Sequence, residues 1–217
     1  MFDLNTFQKY EAFFAEEHDA SFELLHGTGC VMISAPHSVE QTRNGAIKYA
    51  EPQTGVLARM LHDSLGCPVI YKTKNCGDDA NYDMESPYKQ ALADYVRQNG
   101  IRFVLDLHQL ARTRDVQINI GTGRYKNVSD PRQIDAAVAV FETRNIGKIL
   151  IDTPFAAACP NTVSSYISTA CGIPCMQIEM HSLLLWPSSE AARAKDVYDA
   201  LAELVTKLSQ MLREERK

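Results

Sequence analysis

The sequence predicts an α/β fold, a single domain over residues 1–217 with helices flanking a mixed, mostly parallel sheet. Short apolar runs rich in Val, Ile and Leu alternate along the chain with longer segments of helical periodicity. Runs of that composition are typical of strands buried on both faces, and their alternation with helices is typical of α/β domains. No internal repeat, low-complexity tract or Pro/Gly/Ser linker interrupts the pattern, so one domain is predicted rather than two.

Six strands are predicted from the apolar runs: Cys30–Ala35, Pro68–Thr73, Ile101–Leu107, Val116–Ile120, Lys148–Asp152 and Cys175–Met180. Apolar spacing, prolines near helix starts and glycines after helix ends predict the helices between them. These helices are Pro52–Leu65, Ser86–Gln98, Asp130–Asn145, Thr162–Ala170 and Ser189–Arg213. The last carries one apolar stripe, which we interpret as core-facing. Residues 1–25 are predicted to be a helical extension followed by a short strand.

Composition limits the class of protein. Of the 217 residues, 45% are hydrophobic and 23% charged, with a net charge of −5, which is typical of a globular chain that buries a core. No basic stripe is present, so nucleic acid is a poor candidate partner. The acidic start lacks the pattern of a secretory signal, and no apolar run approaches the length of a membrane span. We interpret the six cysteines as reduced core residues and expect a cytoplasmic protein that makes no membrane contact.

Side chains that bind metals or move protons gather at three predicted strands. His37 and Glu40 follow the first strand, His108 follows the third, and Glu179 lies within the last. Functional residues in open α/β sheets collect beyond the carboxyl ends of the strands, so these four meet at one edge if the strands are parallel and adjacent. The sequence alone does not establish that adjacency.

Two His nitrogens and one carboxylate form a tetrahedral zinc site that keeps one position open for water, whose pKa the metal lowers. A second carboxylate must then accept the proton of that water. Glu179 suits this role because a charged acid inside an apolar strand needs a partner. Each residue also has a structural alternative: His108 as a hydrogen-bonded core histidine, Glu179 as the partner of an arginine, and His37 and Glu40 as parts of a polar loop.

Arginines follow His108 closely, at Arg112 and Arg114, and Arg43 lies near Glu40. Arginine binds carboxylates in bidentate fashion, so these residues indicate an anionic substrate. The alternative is that they pair with acidic residues at the surface.

Two further residues are candidate contacts for substrate. His181, just beyond the last strand, either lines the pocket or caps the strand end. Asn81 lies in the polar loop Gly77–Asp83, which is either an Asx-rich turn or another pocket wall.

Four short motifs, in this order and spacing, resemble the N-formylglutamate amidohydrolase family, which belongs with the zinc carboxypeptidase-like, aspartoacylase and succinylglutamate desuccinylase hydrolases. The similarity runs from about Val31 to Leu185 and is carried by Ala35-Pro-His-Ser38, Asp106-Leu-His108, Gly121-Thr122 and Gln177-Ile-Glu-Met180.

The resemblance implies a twisted mixed sheet and one zinc ion per chain. It implies His37, Glu40 and His108 as metal ligands and Glu179 as general base. It also implies that Arg112 and Arg114 act on the scissile carbonyl or the substrate carboxylate, without assigning one role to each.

The preferred function is a zinc-dependent amidohydrolase of a small N-acyl amino acid similar to N-formylglutamate. The alternatives are a carboxypeptidase-like or γ-glutamyl peptide hydrolase on the same fold, and a non-catalytic protein that binds a metal or ligand. A cysteine hydrolase is a weaker option, and another divalent ion is compatible with a His/His/Glu ligand set.

Overall fold

The structure is a computed structural model that describes residues 2–187 and 192–215. Its strands are β1 (Phe22–Leu25), β2 (Val31–Ala35), β3 (Gln41–Arg43), β4 (Ala46–Lys48), β5 (Val69–Lys72), β6 (Phe103–Leu110), β7 (Ile118–Gly121), β8 (Ile149–Ile151) and β9 (Cys175–His181). Its helices are α1 (Leu4–Ala15), α2 (Pro52–Leu65), α3 (Pro87–Gln98), α4 (Pro131–Glu142), α5 (Val163–Cys171), α6 (Ser182–Leu185) and α7 (Ala194–Glu214).

Seven strands form one mixed sheet in the order β1-β5-β2-β6-β9-β7-β8. The four central strands β5, β2, β6 and β9 are parallel, whereas β1 pairs antiparallel with β5 and β7 pairs antiparallel with β9. Strands β3 and β4 form a separate antiparallel hairpin. The predicted fold class, an α/β protein with a mixed, mostly parallel sheet, is confirmed.

Two apolar cores cover the sheet. Successive residues of β2 alternate between them: Val31 and Ile33 pack in the larger core, and Met32 packs in the smaller. Helices α1, α2, α4 and α7 contribute to the larger core, and α3 and α5 to the smaller. Burial on both faces explains why the central strands are continuously apolar in the sequence.

The structure differs from the sequence prediction in a few elements. The β3–β4 hairpin and the four-residue helix α6 were not predicted. The predicted start of the last helix, Ser189, lies outside the described residues, and α7 begins at Ala194. All six cysteines are free thiols, but Cys76 and Cys159 are exposed, so the prediction that all are core residues was wrong for these two. Within the part of the chain that the structure describes, no helix combines the length and apolarity needed to cross a membrane.

Candidate active site

Three adjacent parallel strands bring the predicted site residues together. His37 follows β2 by two residues, His108 lies in β6, and Glu179 lies in β9. Strand β6 pairs with β2 on one side and β9 on the other, and the register places His108 directly opposite Glu179. The adjacency on which the sequence-based site depends is therefore present.

The carboxylate beside the two histidines belongs to Glu51. After β2 the chain leaves through the β3–β4 hairpin and returns at Glu51, the residue that caps α2. The Glu51 side chain makes no capping bond to its own helix. It instead approaches His37 (Oε1 to Nδ1, 3.1 Å) and His108 (Oε2 to Nδ1, 3.5 Å), and it accepts a hydrogen bond from the Gln109 backbone N–H at 2.9 Å.

His37, Glu51 and His108 form a group with the composition of a metal site. One potential ligand atom from each lies within 4.8 Å of the others, and the two imidazole rings pack edge to face with centroids 4.7 Å apart. The structure does not bring Glu40 into this group; its side chain is exposed on the wall of the same cleft. Glu51 was not predicted from the sequence, since its approach to the histidines depends on the path of the β3–β4 hairpin.

Two buried aspartates hold the far side of the histidine rings. Asp79 lies 3.0 Å from His37 Nε2, and Asp106 lies 3.1 Å from His108 Nε2. A ring that donates its Nε2 proton to a carboxylate keeps a lone pair on Nδ1, the nitrogen facing Glu51. Such outer carboxylates are typical partners of metal-binding histidines, since they fix the tautomer and raise the ligand's basicity.

Further hydrogen bonds fix these aspartates. Asp79 accepts two bonds from Arg43, from Nε at 2.9 Å and Nη2 at 2.8 Å. Asp106 accepts a bond of 2.8 Å from the Ser34 hydroxyl. The outer partners of the histidines are thus anchored in the protein interior.

The ionisable groups of this cluster shift one another's pKa values. Burial opposes protonation of His37, but attraction to Glu51 and hydrogen bonding with Asp79 outweigh it and raise the pKa of His37 to about 9. Burial likewise opposes ionisation of Glu51, but the charge of His37 and a hydrogen bond with His108 lower the pKa of Glu51 to about 2. Despite burial, Asp106 holds the pKa of His108 well above its usual range. Any metal ion in this group must therefore displace protons from the rings.

Glu179 is a buried acid in the same cleft. Burial raises its pKa to about 7, against the opposing influence of His108. The Gln177 amide donates a hydrogen bond of 2.9 Å to Glu179 Oε1. An acid of this pKa exchanges protons readily near neutral pH, as a general acid–base group requires.

The site opens into a cleft of about 1180 Å³. Its walls include Arg43, Arg112, Arg114 and Asn81. Arg112 and Arg114 are exposed, whereas Arg43 is engaged with Asp79, and Asn81 Oδ1 accepts a bond of 2.7 Å from the Val163 backbone N–H.

The predicted substrate contact His181 lies elsewhere. It is buried at the start of α6, where its Nδ1 accepts a bond from the Leu183 backbone N–H at 3.3 Å. It is not among the described residues that line the cleft.

The donor set fits a zinc ion. Two imidazole nitrogens and one carboxylate are the protein ligands of many catalytic zinc sites, which leave a fourth position for water or substrate. Both rings also carry the outer carboxylates expected of zinc-binding histidines. The cleft is lined by His37, Glu51 and His108, so a substrate in the cleft can reach this group.

Several solved structures share the carboxypeptidase-like fold of this chain. The N-formylglutamate amidohydrolase from Ralstonia eutropha JMP134 superposes with a TM-score of 0.59 and 13% identity, covering 90% of this chain and 99% of that chain. A bacteriophage poly-gamma-glutamate hydrolase superposes with a TM-score of 0.59 and 11% identity, and the match covers 94% of each chain. A metallo-carboxypeptidase from Burkholderia cenocepacia superposes with a TM-score of 0.54 and 13% identity, covering 94% of this chain and 69% of that chain.

These likenesses confirm the resemblance noted in the sequence at the level of the fold. The sequence itself matches no family model and no curated protein. Because one fold supports many activities, the function must be inferred from the site.

Proposed function

We propose that the protein is a metal-dependent hydrolase that cleaves a linear carbon–nitrogen amide bond. The observation that supports this proposal most directly is the convergence of His37, Glu51 and His108 within 4.8 Å, beside Glu179 in one cleft. We assign the carboxylate ligand to Glu51 rather than to the exposed Glu40. Solved structures of the same fold named as an amidohydrolase and a metallo-carboxypeptidase are consistent with it.

Different residues of the site would bind the metal ion, transfer the proton and orient the histidine rings. A zinc ion held by His37, Glu51 and His108 would polarise the substrate carbonyl and lower the pKa of a coordinated water. Glu179 accepts the proton of the attacking water and passes it to the departing nitrogen. Asp79 and Asp106 keep both rings in the tautomer that presents Nδ1.

The preferred substrate class is a small anionic N-acyl amino acid or a short peptide. Arg112 and Arg114 are exposed on the cleft wall, where a guanidinium can bind a substrate carboxylate or the developing oxyanion. Arg43 has a different role, because its guanidinium is hydrogen-bonded to Asp79.

Cytoplasmic location stays a prediction from the sequence.

Metal analysis of matched variants tests the proposal. The purified protein is expected to bind one equivalent of zinc. Substitution of a residue that hydrogen-bonds a metal ligand lowers metal affinity by ~10–100-fold, and Glu51→Gln is expected to lower it by more, because Glu51 is itself a proposed ligand. The matched control Glu40→Gln removes the nearby exposed carboxylate and should leave zinc affinity unchanged. Zinc content is measured by atomic absorption and affinity by competition with a chromophoric chelator.

The role of Glu179 requires a separate readout. Glu179→Gln is expected to keep one zinc per chain and to lower amide hydrolysis by at least ~10²-fold, because general acid–base catalysis contributes roughly 10²–10⁴-fold. Activity that survives both this substitution and a chelator would rule out the proposed chemistry. Zinc binding without turnover of any amide would favour the non-catalytic alternative.

A further inference from the structure

Exposed aromatic side chains are concentrated around the cleft. Among the described residues, four of the five exposed aromatic side chains line it, and only Tyr125 lies elsewhere. The four are Tyr49 (92% exposed), Trp186 (52%), Phe155 (39%) and Tyr82 (37%). Exposed apolar surface gathered at one concavity is typical of a binding site, whereas scattered single residues are not.

Side-chain contacts hold the Tyr82 ring, and a hydrogen bond fixes the backbone that carries the Phe155 ring. The Arg43 guanidinium lies 4.7 Å from the centroid of the Tyr82 ring, and the Tyr82 hydroxyl accepts a bond of 3.0 Å from Asn44. The Phe155 backbone N–H donates a bond of 2.9 Å to Asn119 Oδ1, and the Arg114 guanidinium lies 5.3 Å from its ring centroid. Rings fixed before binding contribute contact area at low entropic cost.

The cleft is large for a formylated amino acid. Its volume of about 1180 Å³ exceeds the range of roughly 300–1,000 Å³ for sites that take drug-sized ligands. An N-formyl amino acid is smaller than such ligands and leaves the aromatic rings uncovered. A substrate that covers them needs a large apolar group in addition to the carboxylate that the arginines attract.

We propose that the substrate is an anionic amide that carries a large apolar or aromatic group on one side of the scissile bond. This inference rests on the proposed function, because it names the substrate of the same site. The apolar group packs on Phe155, Trp186 and their neighbours, while the carboxylate binds the exposed arginines of the wall. An aromatic acyl group or an aromatic amino acid both satisfy this description, and the experiment tells them apart.

Ligand binding is measurable directly, since Trp186 is the only tryptophan of the chain. We would titrate zinc-loaded Glu179→Gln protein with N-formyl-L-glutamate, N-benzoyl-L-glutamate and N-formyl-L-phenylalanine, following tryptophan fluorescence and calorimetry. At least one aromatic ligand is expected to bind tenfold or more tightly than N-formyl-L-glutamate. The better of the two shows on which side of the amide the apolar group lies.

Two variants connect the preference to the rings. Phe155→Ala and Trp186→Ala are each expected to lower the affinity for the better aromatic ligand at least fivefold more than they lower the affinity for N-formyl-L-glutamate. Calorimetry measures both affinities. Tyr125→Ala removes the exposed aromatic outside the cleft and is the matched control; it should leave the ratio of the two affinities unchanged. Circular dichroism verifies that each variant is folded.

Binding and turnover separate this inference from the proposed function. Equal or weaker binding of both aromatic ligands, or an affinity ratio unaffected by the ring variants, would overturn the inference even if N-formyl-L-glutamate is hydrolysed. A ring-dependent preference in binding supports the ligand class that the inference names, an anionic amide with a large apolar group, even if the wild-type protein hydrolyses none of the three. That second outcome would count against the hydrolase alone.

Discussion

A histidine must present one particular nitrogen to a metal ion, and Asp79 fixes that choice for His37. The aspartate is fully buried and lies 3.0 Å from His37 Nε2, so Nδ1 faces Glu51. Asp79→Asn removes the charge that stabilises this tautomer and is expected to weaken zinc binding by roughly 10–100-fold. Competition with a chromophoric chelator measures the change.

The neighbouring Asp78 supplies the control for this substitution. Asp78 pairs with Lys72 at 2.9 Å rather than with a histidine, so Asp78→Asn should leave zinc affinity within twofold of the unmodified protein. Equal losses in the two variants would mean that the loop as a whole, and not the bond to His37, determines affinity.

Single residues also show where sequence reasoning succeeds and where it stops. His37, His108 and Glu179 were predictable because carboxyl ends of adjacent parallel strands meet at one edge. Glu51 was not assigned, because its place depends on a hairpin that leaves the sheet edge and returns after Lys48. Spacing favoured Glu40, which is nearer to His37 in sequence but exposed. Which carboxylate faces the rings is a tertiary property.

At the scale of elements, the close packing of α1 on α2 supports the helix that carries Glu51 at its start. A Cβ at Gly55 would lie 2.3 Å from Phe14 Cζ and 2.7 Å from the Ser38 hydroxyl. Gly55→Ala is therefore expected to lower the free energy of unfolding by roughly 1–3 kcal/mol, although alanine favours a helix by ~1 kcal/mol over glycine. Urea unfolding measures it.

An exposed helical position supplies a control in which no packing contact is changed. Gln90→Ala in α3 changes a solvent-exposed residue and should stay within ~0.5 kcal/mol of the unmodified protein. If Gly55→Ala proved as stable as the parent, α1 would have to move away from α2 without cost, contrary to the contacts seen here.

Elements with strong periodicity were predictable and weak ones were not. The central strands are buried on both faces, so their composition alone identifies them. Strand β4 is only three residues long and all of them are exposed, so it carries neither an apolar run nor an alternation. Helix α6 was missed for a different reason: its four residues span about one turn, which is too short to show helical periodicity.

At the scale of the whole molecule, the fold class was predictable but the strand order was not. Alternating strands and helices define an α/β protein, whereas the place of β9 between β6 and β7 depends on long-range pairing. That place matters for the site, since it sets Glu179 opposite His108.

The stability of the metal-free protein is expected to fall as the pH rises from about 6.5 to 9. The pKa of His37 is raised from 6.5 to about 9. Its contribution to the free energy of unfolding is therefore complete below pH 6.5 and is lost as the pH passes 9. His108, whose pKa is also raised, acts in the same direction. Glu179 does so at lower pH, because its pKa is raised from 4.5 to about 7 and its contribution is lost between those values. Glu51 titrates only in acid, near pH 2.

Zinc should reverse much of this dependence, because it binds the neutral rings and competes with protons. The raised pKa of His37 is worth about 3 kcal/mol across this range. Thermal unfolding in a chelator is therefore expected to show the melting temperature falling by roughly 6–12 °C, since ~1 kcal/mol shifts it by roughly 2–4 °C in a chain of this size. With one equivalent of zinc, the stabilisation over the chelated protein should grow with pH. A zinc effect that shrinks as the pH rises would show that the ion binds outside the histidine group.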